Sequence, residues 1–329
     1  MLHITNGDSA ASGIRETGVP GEVLSWVDVL HEGPVPSDLN LEELRSVRAQ
    51  FIASCAWADF EEAASLFSRR DKVLADSLGQ DETVLWFEHD LYDQLQLIQI
   101  LDWYAHHDLG RTKLTLICAA EYLGPSTLKR LRERYPERQI VSKAQLELAR
   151  AAWAAFRSPD PTRLNDLLQQ GCSALPFLSG ALWRHMQQFP SKRNGLSRSE
   201  YQALEVIANG VTALGQVYRA SHHDREEALF LGDATFAIYV ERLSAGREPL
   251  VLREDGQVIQ APRGRGPAPE FWQSQVMLPP LGRAVLEARA DYVRTNGIDR
   301  WLGGVHLSGS EAQYRWDERA HRLECESQP

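Results

Sequence analysis

The chain is short of cysteine: four residues in 329, at Cys55, Cys118, Cys172 and Cys325, none in Cys-x-x-Cys spacing. That excludes a disulfide framework and a thiolate zinc site of the usual pattern, and Cys118 in the apolar run at 113–119 reads as a small core hydrophobe. No apolar run is long enough to span a bilayer. The first residues carry neither the basic start nor the apolar stretch of an export leader, so the expected location is cytoplasmic, away from membranes. Basic residues are outnumbered 35 to 45, a net charge of −10, which disfavours non-specific attraction to nucleic acid or an anionic lipid surface. Internal repeats and low-complexity tracts are also missing.

What is present is an ordinary globular composition, 43% hydrophobic and 24% charged, in a chain longer than a single core usually supports, so two domains are expected. Residues 2–5 are an apolar start, followed by Asn6-Gly7-Asp8-Ser9, a strand-to-helix turn with a cap built in. Residues 21–30, 82–87, 113–119 and 139–142 are further strands, separated by helices within 39–78, 91–104 and 126–135. Strands that alternate with helices and are continuously apolar predict an α/β domain over residues 1–142, a mainly parallel sheet with flanking helices. Residues 143–192 form a helical connector, and 190–195 a linker.

Beyond it, residues 193–329 change texture. Ser197 with Glu200 makes a capping box; helices follow over 197–208, 212–220 and 233–245, and 249–260 reads as a hairpin turning at Asp255-Gly256. Three helices and then a hairpin is the order of a smaller α+β, winged-helix-like domain. A C-terminal hairpin over 301–316 carries aromatic residues that dock on the body.

In a parallel α/β sheet, ligands bind outside the carboxyl ends of the strands, where loops and helix N-termini converge. The polar residues at three strand exits are therefore the candidates. The first exit has Asn6, Gly7, Asp8 and Ser9, the second Asp28, His31 and Gly33, the third Glu88, His89 and Asp90, with Asp93 and Gln94 one turn later. Asp90 and Gln94 share a helix face. Three chemistries suit the set. Asp8, Asp28 and Asp90 can hold a divalent cation such as Mg²⁺ or Mn²⁺, which activates water or bridges phosphate oxygens. His31 or His89, with Asp90, can serve as acid and base, Ser9 being a nucleophile or phosphate contact. The helix that opens at Ser9 can take a phosphate on its free N–H groups, with Gly7 allowing close approach.

Each residue also has a plain structural reading. Asp8, Ser9 or Asp90 as a helix cap contributes about 1 kcal/mol without any ligand, and His31 can simply bond a turn. The whole set is harder to explain that way, because clustered carboxylates raise one another's pKa and are costly without a cation. The expectation is a ligand-binding, hydrolase or phosphoryl/nucleotidyl transferase site for a phosphorylated compound, such as a nucleotide or nucleic-acid end. The alternative is a regulatory protein whose winged-helix-like part contacts a protein partner. DNA is less suited, because residues 233–245 offer only Arg242 against Asp233 and Glu241. Lys192, Arg193, Arg263 and Arg265 are too sparse for a nucleic-acid footprint, and His106-His107-Asp108 and His222-His223-Asp224 read as solvated turns.

The blocks LHITNGDSAASGIRE, SWVDVLHEGPVP and LWFEHDLYDQLQLIQIL, in that order across roughly residues 1–125, resemble the hallmark blocks of bacterial domain-of-unknown-function family 1835. FPSKRNGLSRSE, FLGDATF, DRWLGGVHL and YRWD are similar to the C-terminal part found in one branch of it. The resemblance brings no activity, cofactor or catalytic residue. It implies that Gly7, Asp8, Ser9, Asp28, His31, Gly33, His89, Asp90, Asp93 and Gln94 belong together.

Overall fold

The computed structural model describes residues 1–264 and 266–326; Arg265 lies outside them. The first 140 residues run β1 (Leu2–Thr5), α1 (Asp8–Glu16), β2 (Glu22–Ser25), β3 (Gly33–Pro34), α2 (Leu41–Ser54), α3 (Phe60–Asp76), β4 (Glu82–Phe87), α4 (Leu91–Ala105), β5 (Lys113–Cys118), α5 (Leu128–Arg134) and β6 (Gln139–Ile140). Five strands form one sheet in the order β2-β1-β4-β5-β6. The first four are parallel, and β6 closes the edge antiparallel. This is an α/β layer architecture in which the order reverses between β1 and β4.

Both faces of the sheet are covered, which explains why its strands are apolar without alternation. Val84 and Trp86 pack with Ala10, Ala11 and Ile14 of α1 and Leu131 of α5. Leu85 and Phe87 face the other way, into the cluster holding Leu95, Ile98 and Leu101 of α4. The pattern in α4 predicts one apolar face, yet the helix is buried nearly all round, including Gln94, Gln96 and Gln99. The reason lies beyond the sheet, where α6 (Lys143–Phe156), α7 (Arg163–Gln170) and α8 (Leu178–Met186) follow in the chain and α6 and α8 cover its outer side. Each glutamine then has a specific bond: Gln99 Oε1 accepts from Trp26 Nε1 at 2.8 Å, Gln96 Nε2 donates to the Asp28 carbonyl at 3.0 Å, and Gln94 Nε2 donates to the Glu88 carbonyl at 2.5 Å. They tie the segment after β2 and the segment after β4 to one helix.

The rest of the chain runs α9 (Arg198–Ala208), α10 (Leu214–Tyr218), α11 (Asp233–Ala245), β7 (Leu252–Arg253), α12 (Pro269–Gln273), β8 (Val276–Met277), α13 (Pro280–Leu286), α14 (Tyr292–Asn296), β9 (Ile298–Gly303), β10 (Val305–Gly309), β11 (Tyr314–Asp317) and β12 (Arg322–Cys325). The three helices α9 to α11 followed by a ribbon give the winged-helix-like order. The ribbon differs from expectation. The turn at Asp255-Gly256 forms, with Gly256 at φ 82°, its N–H bonded to the Arg253 carbonyl at 2.9 Å and the Arg253 N–H bonded across the turn to the Gln257 carbonyl at 2.9 Å, but the strand partner of β7 is β8. A turn is a local property; the strand partner depends on a long-range register that the dipeptide does not encode.

Residues 190–195 are also not a free linker. Ser191, Asn194 and Gly195 are buried, Asn194 Nδ2 donates to the Val285 carbonyl at 3.0 Å, and Ser191 bridges Trp316. Proline, glycine and asparagine mark a tight turn whether it faces water or the core. The two halves share a three-stranded sheet, β10-β9-β3, in which Gly33 of the N-terminal part pairs in parallel with Leu302. The largest apolar cluster runs without interruption from Leu2 to Leu323. Among the described residues no helix is long and apolar enough to cross a membrane. The aromatic C-terminal segment forms two hairpins, β9–β10 and β11–β12.

Candidate functional site

At the end of β4 the chain passes through Glu88 and bends at His89, and Asp90 becomes the N-cap of α4. Asp90 Oδ1 accepts from the Asp93 N–H at 3.1 Å, and Asp93 returns the exchange, its Oδ1 accepting from the Glu88 N–H at 2.7 Å. The free N–H groups and positive end of a helix favour carboxylates here. Asn6, leaving β1, donates from Nδ2 to Asp93 Oδ2 at 2.7 Å. Leu123, after β5, donates its N–H to Glu88 Oε1 at 2.6 Å. Three strand exits thus meet on one group of side chains, at the place where strand order reverses and α/β sheets open a crevice.

The carboxylates of Glu88, Asp90 and Asp93 each offer an oxygen within 4.8 Å of the others, and all three are buried. Burial raises all three pKa values, that of Asp90 to about 7; the Glu88 charge raises Asp90 further, and Asp90 and Glu88 together raise Asp93. No arginine or lysine pairs with them among the described residues. Gln94 sits beside them with its Oε1 buried and unbonded.

Next to this group, α1 begins at Gly7 without a side-chain cap. Asp8 and Ser9 are exposed in its first turn, and Ser9 Oγ donates to the Gly124 carbonyl at 3.4 Å, one residue past the Glu88 contact. The uncapped N–H groups of α1 and the carboxylates therefore border the same loop. His89 packs its ring against Tyr122 and Phe177, with centroids 5.0 and 5.9 Å away. It lines a cleft of about 550 Å³ walled on the far side by α8, Arg198 and residues 226–228. Partial burial, opposed by the Ala119 carbonyl, pulls its imidazole below the usual range, so the ring is neutral near pH 7 and able to accept a proton.

The second strand exit behaves differently. Asp28 is not a cation ligand in waiting: Arg48 reaches its Oδ1 through Nε at 3.1 Å and Nη2 at 2.8 Å, and Arg70 lies 3.7 Å from Oδ2. Asp8 stands outside the carboxylate group as well, so the set Asp8, Asp28 and Asp90 does not assemble, and Glu88 and Asp93 take the missing places. His31 is sealed, 1% exposed, against Tyr92 and Phe230, with both ring nitrogens unbonded and its pKa lowered by burial to about 4. Gly33 serves the backbone. It sits at φ 77°, and a Cβ there would lie 2.5 Å from the Phe51 ring. His222, read from its turn as solvated, is buried with Nδ1 2.7 Å from Ser221 Oγ, while His223 and Asp224 are exposed as expected.

The residues that come together are thus Asn6, Glu88, His89, Asp90, Asp93 and Gln94, with Gly7, Asp8 and Ser9 alongside. Arg48 and Arg70 escaped the sequence reading because only the fold brings α2 and α3 to Asp28; Phe177 and Arg198 carry no local signal at all. A scan against protein-family models finds no match to the chain, and a search of curated proteins finds none either.

Proposed function

We propose that the crevice between β1 and β4 holds a divalent cation such as Mg²⁺ or Mn²⁺ on Glu88, Asp90 and Asp93, and acts there on a phosphorylated compound, a nucleotide or nucleic-acid end, as a hydrolase or phosphoryl/nucleotidyl transferase. The observation that carries this reading is the set of three carboxylates within 4.8 Å with no compensating side-chain cation among the described residues. Buried like charges of this kind are stable only when protonated or when a cation offsets them, and hard oxygen donors suit Mg²⁺ or Mn²⁺. The open N-terminus of α1 supplies the anion-binding partner that a phosphate needs, and His89 in the adjoining cleft is the acid/base. Kinship with domain-of-unknown-function family 1835 belongs to the same proposal and rests on the three sequence blocks.

The nucleic-acid form of the regulatory alternative has less support. The third helix of a winged helix normally lies in the groove, whereas residues 235–240 of α11 are buried and Tyr239 donates to Glu32 of the N-terminal part. The test is calorimetric titration with Mn²⁺ and turnover of phosphorylated model substrates. Wild type should bind Mn²⁺ near one equivalent, Glu88→Gln and Asp90→Asn should weaken binding by roughly tenfold or more, and His89→Ala should keep the metal but lose turnover. Wild type that takes up no Mn²⁺ at millimolar concentration removes the reading.

A further inference from the structure

We infer that a second cavity, at the end of α4 remote from the crevice, binds a small zwitterionic amine of the betaine or amino-acid kind. The cavity is about 370 Å³ and is lined by Trp26, Trp103 and Trp153, with Asp102, His106 and Arg157 among its polar groups; the Arg70 guanidinium already lies over one face of the Trp26 ring, 4.2 Å from its centroid. That volume suits a small organic molecule. It involves none of the residues of the crevice, so it stands whether or not the cation reading does.

The walls are held in place before any ligand arrives. Trp26 is fixed by its bond to Gln99 at 2.8 Å, and Trp103 is backed by the His107 ring stacked on it at 3.9 Å. The guanidinium of Arg157 is anchored by Nε and Nη2 to the carbonyls of Pro36 and Leu39 and lies 5.6 Å from the Trp153 ring centroid. Indole faces attract cations, quaternary ammonium groups in particular.

The two charges in the cavity are the second observation. Among the described residues the Asp102 side chain has its ion-pair contact with His106 at 3.6 Å, whose Nδ1 is already engaged by the Asp102 carbonyl at 2.8 Å, while Arg157 and Arg150 act on it from farther away. Arg157 Nη1 makes no hydrogen bond among the described residues. Burial pushes the Asp102 carboxyl up and the Arg157 guanidinium down, outweighing the attraction between the two charges. A lone cation would meet Arg157 and a lone anion would meet Asp102. A molecule with an ammonium for the indoles and Asp102, and a carboxylate for Arg157, satisfies both.

The experiment titrates the full chain with glycine betaine, read by tryptophan fluorescence and calorimetry. Two probes run beside it: the tert-butylacetate ion, which keeps shape and carboxylate but lacks the positive charge, and choline, which keeps the ammonium but lacks the carboxylate. Betaine should saturate, with each control about tenfold weaker. Asp102→Asn should weaken betaine about tenfold while leaving the tert-butylacetate ion unchanged. The inference is overturned by a betaine titration with no saturable signal, by tert-butylacetate binding as tightly as betaine, or by Asp102→Asn binding betaine like wild type.

Discussion

Asp28 and Asp90 are both nearly inaccessible to solvent, at 1% and 4% exposure, and what surrounds them separates structure from chemistry. Asp28 has two guanidinium groups and the Gln96 amide at its backbone, so its charge is a fixed part of the fold. Replacing Arg48 by Met strands that charge on Arg70 alone and should cost about 3–5 kcal/mol in urea unfolding. Asp90 has no such partner among the described residues, and its pKa rises from 3.8 to about 7. Between those values the unfolded chain releases the proton while the folded chain keeps it, so the stability Asp90 contributes is complete below about pH 4 and is lost as pH rises through 7. Without divalent cation, wild type should therefore lose melting temperature relative to Asp90→Asn between pH 4 and 7. Mn²⁺ at pH 7, by binding the ionised form, should reverse that loss.

The same logic reaches the helix that organises the site. Helix α4 offers an apolar run that any sequence reading finds, and its cap at Asp90 is equally plain. Its three glutamines look like solvent-facing positions, and only the cover from α6 and α8 turns them into buried ties. Gln99→Leu should leave the Trp26 N–H without an acceptor and cost about 1–3 kcal/mol, read by chemical denaturation with the indole fluorescence as reporter. Strand exits and the alternation of strands with helices were legible because they depend on residues near in sequence. The grouping of Glu88 with Asp93 was half legible, since both lie within one turn of Asp90; the withdrawal of Asp28 and the sealing of His31 were not, because Arg48, Arg70 and Phe230 arrive from elsewhere in the chain. The partner of β7 was lost for the same reason.

For the molecule as a whole, the joint between the halves carries a buried polar cluster beside its apolar contacts. Glu32 is buried and bonded to Arg300 and Tyr239, with Arg242 3.5 Å away, and the cluster holds its carboxyl down at about 2. Thermal unfolding should therefore be one transition, and brief trypsin treatment should not release a fragment at Lys192 or Arg193, although both are exposed; two calorimetric transitions would contradict a shared core. Three of the four buried histidines set the acid limit most strongly. Burial lowers His31 to about 4 and His185 and His222 to about 3, so the unfolded chain takes up protons first as pH drops below 6.5. Their support is whole above that value and is lost on the way down to the folded pKa values. A steep fall in melting temperature between pH 6 and 4 should follow, shallower in His185→Gln.

The bond of Glu32 with Arg300 joins positions 268 residues apart, and the pairing of β3 with β9 joins Gly33 to Leu302 and Pro34 to Gly303. On a ribosome the early carboxylate emerges long before its guanidinium is made. Throughout synthesis the nascent N-terminal half carries an unanswered charge and an open strand edge, and its last hydrogen bonds form only after the tunnel has released the C-terminal hairpins.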